Sequence, residues 1–154
     1  MERNGMIIRL ATKEDVAAIA ALHSEDDLGG HGDTTAPEAL DDYLRAFAQI
    51  EANPAVFLHV VEMGGEVVAT FQLTLMRVMT GRGALHLDVE AVRTASRMQG
   101  QGIGSVMMEH AIGFARERGC KSVKLTSNLK RTDAHRFYER LGFEKTHAGF
   151  KLKL

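Results

Sequence analysis

The chain has 154 residues, a formal net charge of −1, 45% hydrophobic and 25% charged residues. This is the composition of one globular domain, expected to span 1–154 and to bury about two-thirds of its unfolded surface. The near-balanced charge gives no reason to expect nucleic acid or a membrane surface as partner, and the single cysteine, Cys120, excludes an internal disulfide.

Met1 to Met6 lack the basic start and apolar stretch of a signal peptide, and no run of about 18 apolar residues follows, so a cytoplasmic location is expected. Met6-Ile7-Ile8-Arg9-Leu10 reads as a strand. Thr12, with Asp15 three residues on, resembles a capping box, and Val16, Ile19, Ala20 and His23 repeat at helical spacing to about Ser24. Glu25 to Asp33 is polar, glycine-rich and acidic. It reads as a loop, either a solvated connection or a rim that attracts a cationic acceptor; His31 and Asp33 alone are too few for a metal. Pro37 opens a second amphipathic helix, carried by Leu40, Tyr43, Leu44, Phe47 and Ile50 and ending before Asn53-Pro54.

The apolar period then changes from helix to strand. Val56–Glu62 and Glu66–Leu75 flank Met63-Gly64-Gly65, a hairpin signal, and Thr80-Gly81-Arg82-Gly83 turns the chain back into a third strand over 84–92. Strict alternation puts Leu85, Leu87, Val89 and Ala91 on one face, and His86, Asp88, Glu90 and Val92 on the other. Three titratable groups on one side of a central strand are costly to bury without purpose. That face either meets water and internal partners, or floors an acceptor cleft in which one group takes a proton from an amine, directly or through water.

That strand runs into Arg97-Met98-Gln99-Gly100-Gln101-Gly102-Ile103-Gly104-Ser105 and then a helix with the apolar stripe Ile103, Met107, His110, Ala111 and Phe114, stopped at Gly119. A helix's first turn offers unpaired N–H groups and positive potential, and glycines at alternate positions let a pyrophosphate reach the main chain. The loop lacks the lysine of a nucleotide-triphosphate loop. The spacing, position and missing downstream acid also exclude a dinucleotide fingerprint. His110 reads as a satisfied, partly buried histidine, and Cys120 as a buried, inert thiol. Ser122–Ser127 is the next strand, parallel to its predecessor through the helical crossover. Asn128 ends it, Thr132 or Asp133 caps a helix over 134–140 closed by Gly142, and 143–154 is expected to supply closing strands.

The loop Arg97/Gln99-Gly100-Gln101-Gly102-Ile103-Gly104 resembles the acyl-CoA loop of the GNAT N-acetyltransferase superfamily. Asn128 followed by Ala134-His135-Arg136-Phe137-Tyr138-Glu139-Arg140-Leu141-Gly142-Phe143 resembles that superfamily's second signature, in the same order and spacing. The resemblance implies an α+β single-domain fold, a central mixed, mostly antiparallel sheet of about six to seven strands flanked by about four helices. It implies acetyl-CoA as co-substrate, with pyrophosphate on Arg97 and Gln99 to Ser105 (Gln99, Gly100, Gln101, Gly102, Ile103, Gly104, Ser105). Val92, Arg93 and Thr94 would meet pantetheine through the backbone, Asn128 would hydrogen-bond the same arm, and Ala134 joins the cofactor-binding residues. Tyr138 would be the general acid toward the thiolate, and Asp88, Glu90 or His86 the base.

Direct transfer to an amine needs no covalent enzyme intermediate, which suits a chain without a nucleophile triad or metal cluster. The stretch Thr126 to Phe150 is especially similar to the aminoalkylphosphonate N-acetyltransferase branch, implying a small-molecule amine acceptor, whereas the acidic loop points to polyamines or a basic group on a larger molecule. A protein or peptide N-acetyltransferase and a non-catalytic acyl-CoA-binding regulatory domain are the alternatives. Small enzymes of this type are often dimers, so a homodimer is expected.

Overall fold

A computed structural model describes residues 2–26, 28 and 31–154. Asp27, Gly29 and Gly30, three members of the acidic loop, lie outside the described residues, as does Met1. The chain forms two compact units, one running to Lys124 and one from Leu125 to Leu154.

In the first unit, β1 (Glu2–Arg3) and β2 (Met6–Leu10) form a hairpin closed by Asn4 and Gly5, both at positive φ (53° and 75°). This is the turn geometry that Asn-Gly favours. A 3-10 turn (Lys13–Asp15) leads into α1 (Val16–Ser24). The expected cap is present: the Thr12 N–H donates to the Asp15 carboxylate at 2.7 Å, and Arg9 donates to both carboxylate oxygens at 2.7 and 2.9 Å. A second 3-10 turn at Pro37 opens α2 (Leu40–Ala52).

The hairpin β3 (Val56–Met63) and β4 (Glu66–Arg77) turns through Gly64 and Gly65 at φ 59° and 82°. A single turn, α3 (Thr80–Gly83), places Gly81 and Arg82 in left-handed conformation and returns the chain as β5 (Leu85–Thr94). After α4 (Ile103–Glu117) comes β6 (Ser122–Leu125), and the sheet order is β1-β2-β3-β4-β5-β6. The pairs from β1 to β5 are antiparallel, and β6 joins β5 by the α4 crossover. Among the described residues the fold is therefore a mixed α+β sheet of six strands with five helices, the last of them α5 (Thr132–Arg140) in the second unit.

One core layer lies between the sheet and α4. Phe71, Leu73, Leu87, Ile103, Met107 and Met108 are fully buried, each side chain contributing roughly 2 kcal/mol by leaving water. α4 ends as expected: Gly119 has φ 70°, and the Cys120 N–H reaches back to the Ala115 carbonyl at 3.0 Å. Cys120 is half-buried rather than buried, and burial pushes its thiol pKa up, so it stays protonated and unreactive.

Two expectations are corrected. Residues 143–154 form no strand, and Phe150 and Leu152 are almost fully exposed. Lys145, His147, Gly149, Lys151 and Lys153 alternate with Ala148, Phe150, Leu152 and Leu154, a narrow apolar face whose burial is too small to offset the entropy of pairing. α5 starts at Thr132 with Arg131, not Thr132 or Asp133, at its N-cap, and Asp133 instead pairs with Arg136 on the helix surface.

Candidate active site

β5 carries the site because its two faces differ. Leu73 pairs with Val89, and Leu75 with Leu87, so these apolar residues share the face of Phe71, whose ring lies 5.9 Å from that of His110 on α4. The opposite face sets Met76 beside His86, Thr74 beside Asp88, and Gln72 beside Glu90. Asp88 and His86 are half-buried and Glu90 is exposed, so the three predicted titratable groups form one accessible polar row. His86 is already engaged: its Nδ1 lies 2.7 Å from the Ser122 hydroxyl, a link from β5 to β6.

The alternation does not continue to Ala91. Thr70 pairs with Arg93 and Gln72 with Glu90, so Ala91 and Val92 together oppose Phe71, a bulge in β5. Ala91 takes φ 51° and is exposed instead of joining the face of Leu87 and Val89. A non-glycine residue held left-handed costs on the order of 1 kcal/mol, and such strain concentrates at functional sites. The bulge takes the main chain near Val92 out of the ladder with β4, where the sequence resemblance puts backbone contacts to the donor. No glycine marks it, so alternation alone missed it.

Three residues after β5, the loop opens. A short 3-10 turn (Ser96–Met98) precedes Gln99, and Gly100 and Gly102 adopt φ 79° and 80°, a conformation that turns successive N–H groups toward one side. A Cβ at either glycine would meet nothing within 4 Å, so the space in front of the main chain is open. The first bond within α4 runs from the Val106 N–H to the Gly102 carbonyl at 3.2 Å, placing Ile103, Gly104 and Ser105 in the turn whose N–H groups lack intrahelical acceptors. Gln99, Gly100, Gln101 and Gly102 are exposed. Backbone donors, positive helix end and open approach fit a pyrophosphate.

The two arginines expected here differ. Arg97 pairs with Glu66 at 2.8 Å, but both side chains are more than half exposed, and such pairs are worth under about 1 kcal/mol, small enough to exchange for a phosphate. The Arg93 side chain is turned to α1, donating to the Leu22 and Glu25 carbonyls at 3.3 and 3.0 Å. Glu25 accepts the Ser96 N–H at 2.8 Å, a contact across 71 positions that nothing local in the sequence announced.

In the second unit, the Asn128 side-chain oxygen accepts the Lys130 N–H at 2.9 Å, and its carbonyl accepts the Arg131 N–H at 2.9 Å, fixing the turn into α5. Ala134 sits half-buried in the first turn of α5. Tyr138 packs edge-on to Phe143, centroids 5.8 Å apart, and burial pushes its phenol pKa up. A phenol so shifted holds its proton at neutral pH, as a general acid must. Among the described residues no group of three or more His, Cys, Asp or Glu is placed to hold a metal, and no helix is long and apolar enough to cross a membrane. The two shallow depressions between α1 and α2, of about 310 and 330 Å³, share no residue with the loop or the β5 row.

A mixed sheet whose bulged fifth strand feeds a glycine loop and helix N-terminus is the arrangement that the resemblance to acyl-CoA-dependent acyltransferases implies. The chain matches the acetyltransferase (GNAT) family over residues 16–143 and belongs to it. It is 31% identical to the aminoalkylphosphonate N-acetyltransferase of Salmonella typhimurium over 143 residues, 93% of this chain and 88% of that protein. A solved structure described as a transcriptional regulator from Bacillus halodurans C-125 superposes with a TM-score of 0.92 at 37% identity, covering 97% of this chain and 99% of that one. A putative acetyltransferase from Agrobacterium tumefaciens gives 0.83 at 26% identity, covering 96% and 99%. The protein is thus an acyltransferase of the N-acetyltransferase family, which uses acetyl-CoA.

Proposed function

We propose that the chain, as one domain over 1–154, transfers an acetyl group to the primary amine of a small molecule in a ternary complex. The observation that carries this is the glycine loop, with Gly100 and Gly102 left-handed and open in front of the first turn of α4. When bound, acetyl-CoA supplies the acetyl group as an activated thioester. Backbone donors from Gln99 to Ser105, with Arg97, hold its pyrophosphate; the main chain at Val92, Arg93 and Thr94, just past the start of the bulge, meets the pantetheine arm, Asn128 hydrogen-bonds that arm, and Ala134 belongs to the same donor-binding set. Asp88 or Glu90, with His86 as the third candidate, takes the proton from the acceptor amine, and Tyr138 returns one to the departing sulfur. Positioning supplies most of the rate, because the reacting groups need only modest charge.

A small amine as acceptor is supported by the relative from Salmonella typhimurium, whose name gives an aminoalkylphosphonate as what it acetylates. The acidic row on β5 supports an acceptor that arrives as a cation. A cytoplasmic homodimer completes the reading, supported by composition and by likeness to small enzymes of this type.

The test is a thermal-shift titration with acetyl-CoA, coenzyme A and ATP, followed by thiol-release assays against small amines, aminophosphonates and peptides. Acetyl-CoA is expected to raise the midpoint, since a ligand that binds only the native state stabilises it, and a small amine to release thiol. Release with peptides alone would move the acceptor to protein, and no stabilisation by either CoA species would overturn the reading.

A further inference from the structure

The end of α1 and the start of the glycine loop are joined by one interlocked set of hydrogen bonds. From β5, Arg93 donates through Nε to the Leu22 carbonyl at 3.3 Å and through Nη2 to the Glu25 carbonyl at 3.0 Å. The same Nη2 reaches the Ser96 hydroxyl at 3.2 Å. Glu25 closes the set by accepting the Ser96 N–H at 2.8 Å, its carboxylate standing 3.9 Å from the guanidinium. The Arg93 side chain is only 12% exposed, whereas Glu25 and Ser96 are exposed, so the set lies at the surface around a largely buried arginine.

The Leu22 carbonyl also accepts the Glu25 N–H at 3.3 Å, so Arg93 adds a second donor there. Leu22 and Glu25 offer the last carbonyls of α1, the negative end of the helix, which a guanidinium suits. Ser96 opens the turn Ser96–Met98, whose first N–H has no acceptor within the turn, and that turn runs directly into Gln99 and Gly100. The Ser96 N–H holds the Glu25 carboxyl below the ordinary glutamate range, with Arg93 adding a smaller effect, so the carboxylate is charged at neutral pH. The main chain that presents donors to the pyrophosphate is therefore anchored at its entry from a different element.

We propose that Glu25 and Arg93 are positioning residues for the acyl donor: they hold the entry of the glycine loop against α1, so that coenzyme A meets donors already in place. The proposal rests on the reading that this loop binds pyrophosphate. A preformed site avoids the ordering cost that a slack loop adds to binding, so loss of the latch weakens donor affinity without removing a donor contact.

Calorimetric titration of the full chain with coenzyme A tests it, with the ligand-free melting midpoint measured alongside. Glu25→Ala is expected to raise the dissociation constant about tenfold, roughly the loss of one charge-assisted bond, with a midpoint near that of the unchanged protein. Glu25→Gln keeps an oxygen acceptor for the Ser96 N–H and is expected to restore most of the affinity, a rescue that a purely structural role of the charge would not give. If Glu25→Ala fails to fold, Glu25→Asp, one methylene too short to reach Ser96, is expected to show the same weakening. Wild-type affinity in Glu25→Ala, or in Glu25→Asp where the alanine variant fails to fold, would overturn the proposal. Failure of the unchanged protein to bind coenzyme A would remove the loop reading itself, and the proposal with it.

Discussion

Acidification is expected to destabilise this fold chiefly through His59. It is 4% exposed on β3, its ring stacked on Phe71 at 4.9 Å and 9°. Its Nδ1 lies 3.1 Å from the Phe57 carbonyl, which can only accept, so Nδ1 carries the proton and Nε2 is the acceptor. The Nε2 of His110, 3.3 Å away, must then be the donor. A second proton on His59 would set two N–H groups against each other in an apolar surround. Burial first, then the His110 charge, lower its pKa from 6.5 to about 4. Because the folded value lies below the unfolded one, the unfolded chain binds the proton first; stability is intact above the unfolded value and is lost as the pH falls toward the folded one. Between about pH 7 and about pH 5 the loss comes to about 2 kcal/mol, rising to roughly 3 kcal/mol once both states are protonated. His23 and His110 are also lowered, chiefly by burial, and add in the same direction. Urea unfolding at fixed ionic strength across this range measures the slope. His59→Phe keeps the stack on Phe71 and has no proton to gain, so its stability is expected to fall by about 2 kcal/mol less than that of the unchanged protein. His59→Leu serves the same purpose with a smaller side chain. Equal slopes in the unchanged protein and both variants would refute the assignment of the titration to His59.

Other changes follow from the same structure. Asp15, whose side chain is 8% exposed, accepts two bonds from Arg9 and one from the Thr12 N–H; Asp15→Ala is expected to cost about 2 kcal/mol by removing those bonds and leaving Arg9 with the Glu62 carboxylate at 3.1 Å, read as a fall in the urea midpoint. Gly102→Ala places a side chain at φ 80° and disturbs the donors of the loop; the KM for acetyl-CoA is expected to rise at least about tenfold with a stability loss of only about 1 kcal/mol. Tyr138→Phe removes the phenolic proton but keeps the packing against Phe143; kcat is expected to fall at least about a hundredfold with coenzyme A affinity unchanged.

The elements were legible where local chemistry fixes them. Thr12 with Asp15, Pro37, Gly64-Gly65 and Gly119 mark starts, turns and stops that the structure places within a residue or two. Asn4-Gly5 carries an equally strong turn signal, but the three residues before it are too few to show a strand pattern. The glycine loop was legible for the same reason: glycine at alternate positions before an apolar helical stripe has few uses other than bringing a ligand to the main chain.

What stayed hidden depends on contacts between distant residues. Ala91 has no local reason to be left-handed; the two-against-one pairing across from Phe71 imposes that conformation, and with it the exposure of a residue that alternation assigned to the core. Glu25 reads as one more acid in a polar loop until the fold brings Ser96 within 2.8 Å. His59 reads as a polar residue in an apolar strand, and only the helix packed over it reveals that its second nitrogen has a partner. These three share a feature that explains why pattern reading misses them. Each breaks a local preference, and the compensating contact comes from another element: β4 for Ala91, the turn before α4 for Glu25, and α4 itself for His59. Ala91 lies on the path from β5 into the glycine loop and Glu25 holds that path through Ser96, so local rules give way where the sheet has to present its main chain to a ligand.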